Sequence, residues 1–198
     1  IARFHGIISH GGDAVSSGPA DVRLEWRVRA GTMEAVRENN IKLDRSFRAG
    51  ALAVGARVKI TTIPGYFPMR NDQVLKELFI ENATELVGKE GLQVVSDDRN
   101  RGGSTDLGDL SHIMPVLGVN VGGVTGRGHG NDYIVVDWDH AVVESAKVIA
   151  MNIIDLMYGV AAKAKEVVAK AGPKMTLDQY LSFQRGQAQE IDFDGATG

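Results

Sequence analysis

The stretch GGSTDLGDLSHIMPVLGVNVGGVTGRGHGNDY, Gly102 to Tyr133, decides how this chain is read. It holds nine of the 24 glycines and two of the five histidines in a chain of 198 residues. Glycine gives a backbone access to positive φ and to close approach, so a cluster this dense implies that something is being placed. A phosphate cradle is excluded by spacing: the stretch has neither GxxxxGK[ST] nor GxGxxG between a strand and a helix. Gly126, Gly128 and Gly130 instead alternate around Arg127 and His129. Such a loop can bring one side chain, His129, to a defined point, and imidazole is the best metal ligand of a chain without cysteine. A surface loop with a spectator histidine fits the same residues, and spacing alone leaves both readings open.

Working outward, Ile1 to Ser9 reads as a strand closed by His10-Gly11-Gly12-Asp13. Asp21 to Arg29 alternates, with Val22, Leu24, Trp26 and Val28 on a face expected to be buried and four charged residues on a wet one. Thr32 is the expected N-cap of a helix that Gly55 ends, and Ala56 to Ile63 reads as a further strand. Strand, strand, helix, strand makes part of a small α+β sandwich. One helix covers it thinly, so a missing helix or a partner is expected to complete it.

Asp72 opens a second helix, whose stripe of Val74, Leu75, Leu78, Phe79, Ala83, Leu86 and Val87 closes at Gly88. Leu92 to Val95 and Ile113 to Val121 are expected strands. Asp139 is the expected cap of a helix running from His140 to Ala171, with Gly172-Pro173 as its stop. Thr176 caps a short helix through Phe183, and the polar tail from Gln184 is expected to be loose.

The net charge of −3 and pI near 6.0 make no electrostatic case for nucleic acid or an acidic membrane surface. With no cysteine, disulfides and thiolate metal sites are excluded. No signal peptide or apolar run of spanning length is read, so no membrane and a cytoplasmic location are the expectations. The chain opens Ile-Ala-Arg without an initiator Met, as a processed or truncated piece would.

Four blocks together resemble the C-terminal half of peptidase family M-twenty, in its amidohydrolase branch, which includes aminobenzoyl-glutamate hydrolases and N-acyl-amino-acid amidases. HGIISHGGDAVSSGPADV (His5 to Val22) is similar to the lid block HGxITxGGxAxNVVPxxx. EWRVRA (Glu25 to Ala30), with the helix reaching FRAGALAVGARV, is similar to the strand and helix that follow. GGSTDLGDLSHIMP (Gly102 to Pro115) resembles the G-S-T-D-x-G-D-x-S block. GRGHGNDY (Gly126 to Tyr133) stands where the family carries its last metal-ligand histidine.

The resemblance implies an α/β fold: the C-terminal part of a zinc-peptidase-like α/β/α catalytic domain (69–198) plus part of an α+β sandwich lid that dimerises (1–68). It implies a homodimer and a parent enzyme that hydrolyses the amide bond of N-acyl or N-aroyl amino acids or peptide-like substrates. Two divalent ions, zinc or manganese, serve that chemistry. The general base and most ligands of the family lie in a half not found here. This chain alone is therefore expected to hold no metal stably and to be inactive. The alternative is a non-catalytic dimerisation or folding fragment.

Residue by residue, the resemblance makes His129 a metal ligand and gives Arg29 a substrate carboxylate, which suits a guanidinium fork. A solvated strand arginine explains Arg29 equally well, with Arg23 and Arg27 on its face. Ser16 replaces the asparagine that reaches the substrate from the lid; it is shorter and has no amide donor. Ser104, Thr105 and Asp106 line the cleft, while capping or bracing of the loop explains Asp106 and Asp109 equally well. His112 and His10 are read as structural.

Overall fold

The computed structural model describes residues 2–95, 104–171 and 175–198. They form a mixed α/β protein whose chain clusters into two units. One is Ile1–Pro68, Asn100–Ser104 and Leu181–Gly198; the other is Met69–Arg99 and Thr105–Tyr180. Three antiparallel two-stranded sheets occur among the described residues.

In the first unit β1 (Arg3–His10) pairs with β2 (Arg23–Arg29), Arg3 facing Arg29 and Ile8 facing Leu24, with a bulge before His10. Period-2 alternation sorts the hairpin into two faces. Arg3, His5, Arg27 and Arg29 share one; Phe4, Ile8, Leu24 and Trp26 share the other. Trp26 lies flat on Gly6, where any Cβ would collide with the indole, and meets Phe47 edge-on at 5.8 Å. The apolar face was expected to be buried, yet Leu24 is 44% and Val22 50% exposed. A two-stranded ribbon met by one helix is too narrow to be covered.

That helix, α1 (Met33–Val54), begins where Thr32 accepts a hydrogen bond from the Ala35 N–H at 3.2 Å. It ends at Gly55, whose φ of 66° turns its N–H back onto the last carbonyls. Next comes β3 (Arg57–Thr62). Its partner is the tail: β6 (Gln189–Asp194) runs antiparallel to it, Ile60 opposite Ile191 and Val58 opposite Phe193. The expectation of a loose tail is thus corrected. QEIDFD is polar in composition but alternates, so its charges meet Arg57 and Lys59 on one face and its apolar residues lie on the other. Phe67, 3% exposed, packs edge-on to Phe183 at 5.3 Å.

In the second unit Asp72 caps α2 (Gln73–Val87), accepting from the Leu75 N–H at 3.0 Å. Val74, Leu78 and Ala83 are buried, and Asn82 donates to Asp155 of α4 (Ser145–Ala171) at 2.8 Å. Leu92–Val95 and Ile113–Val121 are not strands. The second of these is tied to the start of α2 instead: the Asp72 N–H donates to Val116 O (2.8 Å) and the Gly118 N–H to Asn71 Oδ1 (2.9 Å). Those groups are satisfied without a ladder. The long helix also departs from expectation. It opens with a π-helical turn, Asp139–Glu144, and breaks at Tyr158–Ala161, where Gly159, Val160 and Ala161 all have φ near +58°. Gly159 makes such a break accessible. Val160 in the break is 84% exposed.

Asp139–Ala171 contains an 18-residue window of mean hydropathy 1.3, long and apolar enough by composition to cross a membrane. The sequence reading missed this run. The Asp155–Asn82 bond is what a helix packed on a helix shows. The Gly172-Pro173 stop lies outside the described residues. Thr176 and Gln179 cap α5 (Leu177–Arg185) reciprocally, each side chain accepting from the other's N–H.

Candidate functional site

The glycine-rich stretch resolves into a short turn and a hairpin. In the turn, Thr105 Oγ1 accepts from the Leu107 N–H at 3.3 Å and donates to Asp106 at 3.2 Å, opening α3 (Leu107–Leu110). The capping side chain is therefore that of Thr105, while Asp106 at the N-cap position makes no side-chain cap bond, and Ser104 beside them is exposed. Ser111, fully buried, donates to Gly108 O at 2.6 Å and accepts from the Arg70 N–H at 3.1 Å. Sequence reasoning passed over it. His112 is half-buried in the turn after α3.

The hairpin pairs β4 (Val124–Thr125) with β5 (Ile134–Val135). Between them the Gly130 N–H donates to Arg127 O at 2.7 Å, closing a β-turn whose third residue is His129, exposed and at φ 66°. That place belongs by preference to glycine, although histidine enters it more often than most side chains. Gly126, at φ 91°, has the Asp132 carbonyl where a Cβ would be. The Arg127 N–H donates to Asp132 Oδ1 at 3.4 Å. The glycines thus permit a tight, internally bonded loop with one imidazole at its tip.

The stalk of this hairpin is held by the π-helical turn. The Val136 and Asp137 N–H groups both donate to Gly123 O, at 2.9 and 3.1 Å. Asp137 Oδ1 accepts from the His140 N–H at 3.0 Å, so the cap is Asp137, two residues before the expected Asp139. His140 Nδ1 lies 2.5 Å from Glu144 Oε2. An ionised carboxylate only accepts, so Nδ1 carries the hydrogen. The other edge of the ring covers Gly122, where a Cβ would sit 2.7 Å from Nε2. The spacing of His140 and Glu144 on one helix face was the signal available in the sequence for this pair.

Arg29 is half-buried, opposite Arg3 in the ladder, and Ser16 is exposed. His10 ends β1 opposite Arg23. Arg29, Ser16 and Ser104 belong to the first unit, Thr105 and His129 to the second. Among the described residues no group of three or more His, Asp or Glu side chains converges as a metal site. A zinc ion needs about four donors, and His129 offers one. The described residues do not make a complete metal centre.

The chain is therefore a mixed α/β protein that presents a single strained histidine on a glycine-built hairpin. A mouse protein named Xaa-Arg dipeptidase (Mus musculus) is 28% identical to it over 165 residues, 79% of this chain. The match covers 37% of that protein, so the chain spans little more than a third of the length of the relative. No protein-family model and no solved structure matches it.

Proposed function

We propose that this chain acts as the C-terminal portion of a metal-dependent hydrolase of the peptidase M-twenty kind, cleaving the amide bond of dipeptide-like or N-acyl amino acid substrates. The match to a protein named a dipeptidase, over 79% of this chain, carries the reading. The positive φ of His129 agrees with it, since backbone strain concentrates where a side chain must be held for use. In this reading His129 supplies one donor to an ion whose other ligands lie elsewhere in the parent. Arg29 takes the substrate carboxylate, and the Ser104 and Thr105 region lines the cleft, with Thr105 held by its cap. Ser16 offers a hydroxyl where relatives use an amide. The parent works as a dimer in the cytoplasm.

The second reading is a non-catalytic dimerisation or folding piece. It is favoured by the uncovered apolar face of the first hairpin, where Leu24 is 44% and Trp26 46% exposed.

The test compares the 198-residue chain with the natural full-length product, whose size is read by intact mass. Both are assayed on dipeptides and N-acyl amino acids with zinc or manganese added. Hydrolysis by the longer form, lost in His129→Ala at matched metal content, supports the enzyme. No hydrolysis by either form leaves the second reading.

A further inference from the structure

The π-helical turn places an imidazole against the backbone that carries the hairpin. We propose that His140 is a positioning residue: held by Glu144 against the bare backbone of Gly122, it fixes the stalk from which His129 is presented. The proposal rests on the reading of His129 as the residue used at the site. Three observations converge on the stalk. Gly122 leaves room for the ring, since a Cβ there would stand 2.7 Å from Nε2 and 2.9 Å from Cδ2. Gly123, at φ 79°, packs on the Asp137 carbonyl and on Ala141, closer than any side chain would allow. Its carbonyl receives the Val136 and Asp137 N–H groups.

The His140–Glu144 bond orients the ring. It closes one wide helical turn, of the kind found disproportionately at functional positions. A two-residue ladder is too short to hold a register by itself. The clamp at its base restrains where the tip can go. His140 touches no reacting atom in this scheme; it acts through Gly122 and Gly123.

The experiment uses the 198-residue chain and reads amide exchange at Val136, Asp137 and Gly130, the His129 ring resonances by NMR, and the thermal midpoint. In His140→Ala and in Glu144→Ala, exchange at the three amides should rise about tenfold or more, and the His129 ring signals should shift or broaden. Glu144→Gln should behave as wild type, because its carbonyl still accepts from Nδ1–H. Gly122→Ala should loosen the hairpin as His140→Ala does, and combining the two should add little, since the collision partner is gone.

If the His129 signals and the three amides stay as in wild type in His140→Ala while only the midpoint falls, His140 is structural and the proposal is overturned. Should His140→Ala fail to fold, Gly122→Ala and the two Glu144 variants decide by the same readouts. Additive effects of Gly122→Ala and His140→Ala would also overturn it. These measurements are independent of hydrolysis. Activity that survives His129→Ala would sink the functional reading and leave the exchange result standing.

Discussion

His129 pays for its φ of 66° in stability. A non-glycine residue in the left-handed region costs about 1–3 kcal/mol. His129→Gly should therefore raise the unfolding free energy by about 1 kcal/mol in a denaturant titration, and on the function proposed above it should abolish hydrolysis by the parent. A destabilised His129→Gly would show that the imidazole is a packing residue. Ser111 lies at the opposite extreme: fully buried, with both of its bonds to backbone groups. Ser111→Ala leaves the Arg70 N–H without its partner, and chemical denaturation should show a loss of about 1–3 kcal/mol.

Asp44, 5% exposed on α1, has its carboxyl pushed up, mainly by burial and with Arg48 opposing. A carboxyl that holds its proton more tightly folded than unfolded favours folding most below its unfolded value of 3.8. That advantage fades as pH rises through the folded value. Asp44→Asn should accordingly be more stable than wild type at pH 7, by less than about 1 kcal/mol, with the gap closing in acid.

At the scale of elements, the local signals were readable wherever a side chain bonds to its own backbone neighbourhood. Thr32, Asp72 and Thr176 cap the helices they were expected to cap, and Gly55 and Gly88 close theirs. Where two aspartates compete within three residues, the sequence does not choose. Asp137 won over Asp139 because the hairpin stalk ends on it. The expected strands Leu92–Val95 and Ile113–Val121 failed for another reason. An apolar run specifies burial but not a ladder, and the partner of Val116 is the start of a helix. β6 was hidden by composition, since polarity says nothing of alternation.

Its ladder has an electrostatic side. Asp194 is held below its ordinary value, first by the Ala196 N–H and also by Arg57, and Glu190 lies 3.0 Å from Lys59. A lowered carboxyl contributes stability above its unfolded value of 3.8 and loses it as pH falls through the folded one. Amide protection of Gln189–Asp194 should persist at pH 7 and fall selectively below about pH 4, before the rest of the first unit opens. Glu166 behaves alike on α4: Lys170 and Lys163 draw it down to about 2, so its brace is complete above 4.5 and lost toward pH 2.

For the whole molecule, a boundary at residue 68 came only from the family resemblance, not from any local signal in the chain. The return of Leu181–Gly198 to the first unit has no local signal either, because none records a pairing more than a hundred residues apart. The same holds for the site. His129 could be singled out by its glycines, but the clamp at His140 depends on which backbone a ring lies against. Exposed apolar surface also belongs to this scale: Phe4, Ile8, Leu24 and Trp26 share one hairpin face and are each more than 40% exposed, as a surface that takes another chain would be. Light scattering of the chain at micromolar concentration should report a dimer or larger, and a stable 21.3 kDa species would count against it.

The two tryptophans fall one to each unit: Trp26 against Gly6 and Phe47 in the first, Trp138 beside the hairpin stalk in the second and 67% exposed. The chain therefore carries a built-in pair of optical reporters. Trp138→Phe leaves emission that follows the sheet-and-helix half, and Trp26→Phe leaves emission that follows the half bearing His129. Unfolding of each half can be watched separately, one variant for each, without a label.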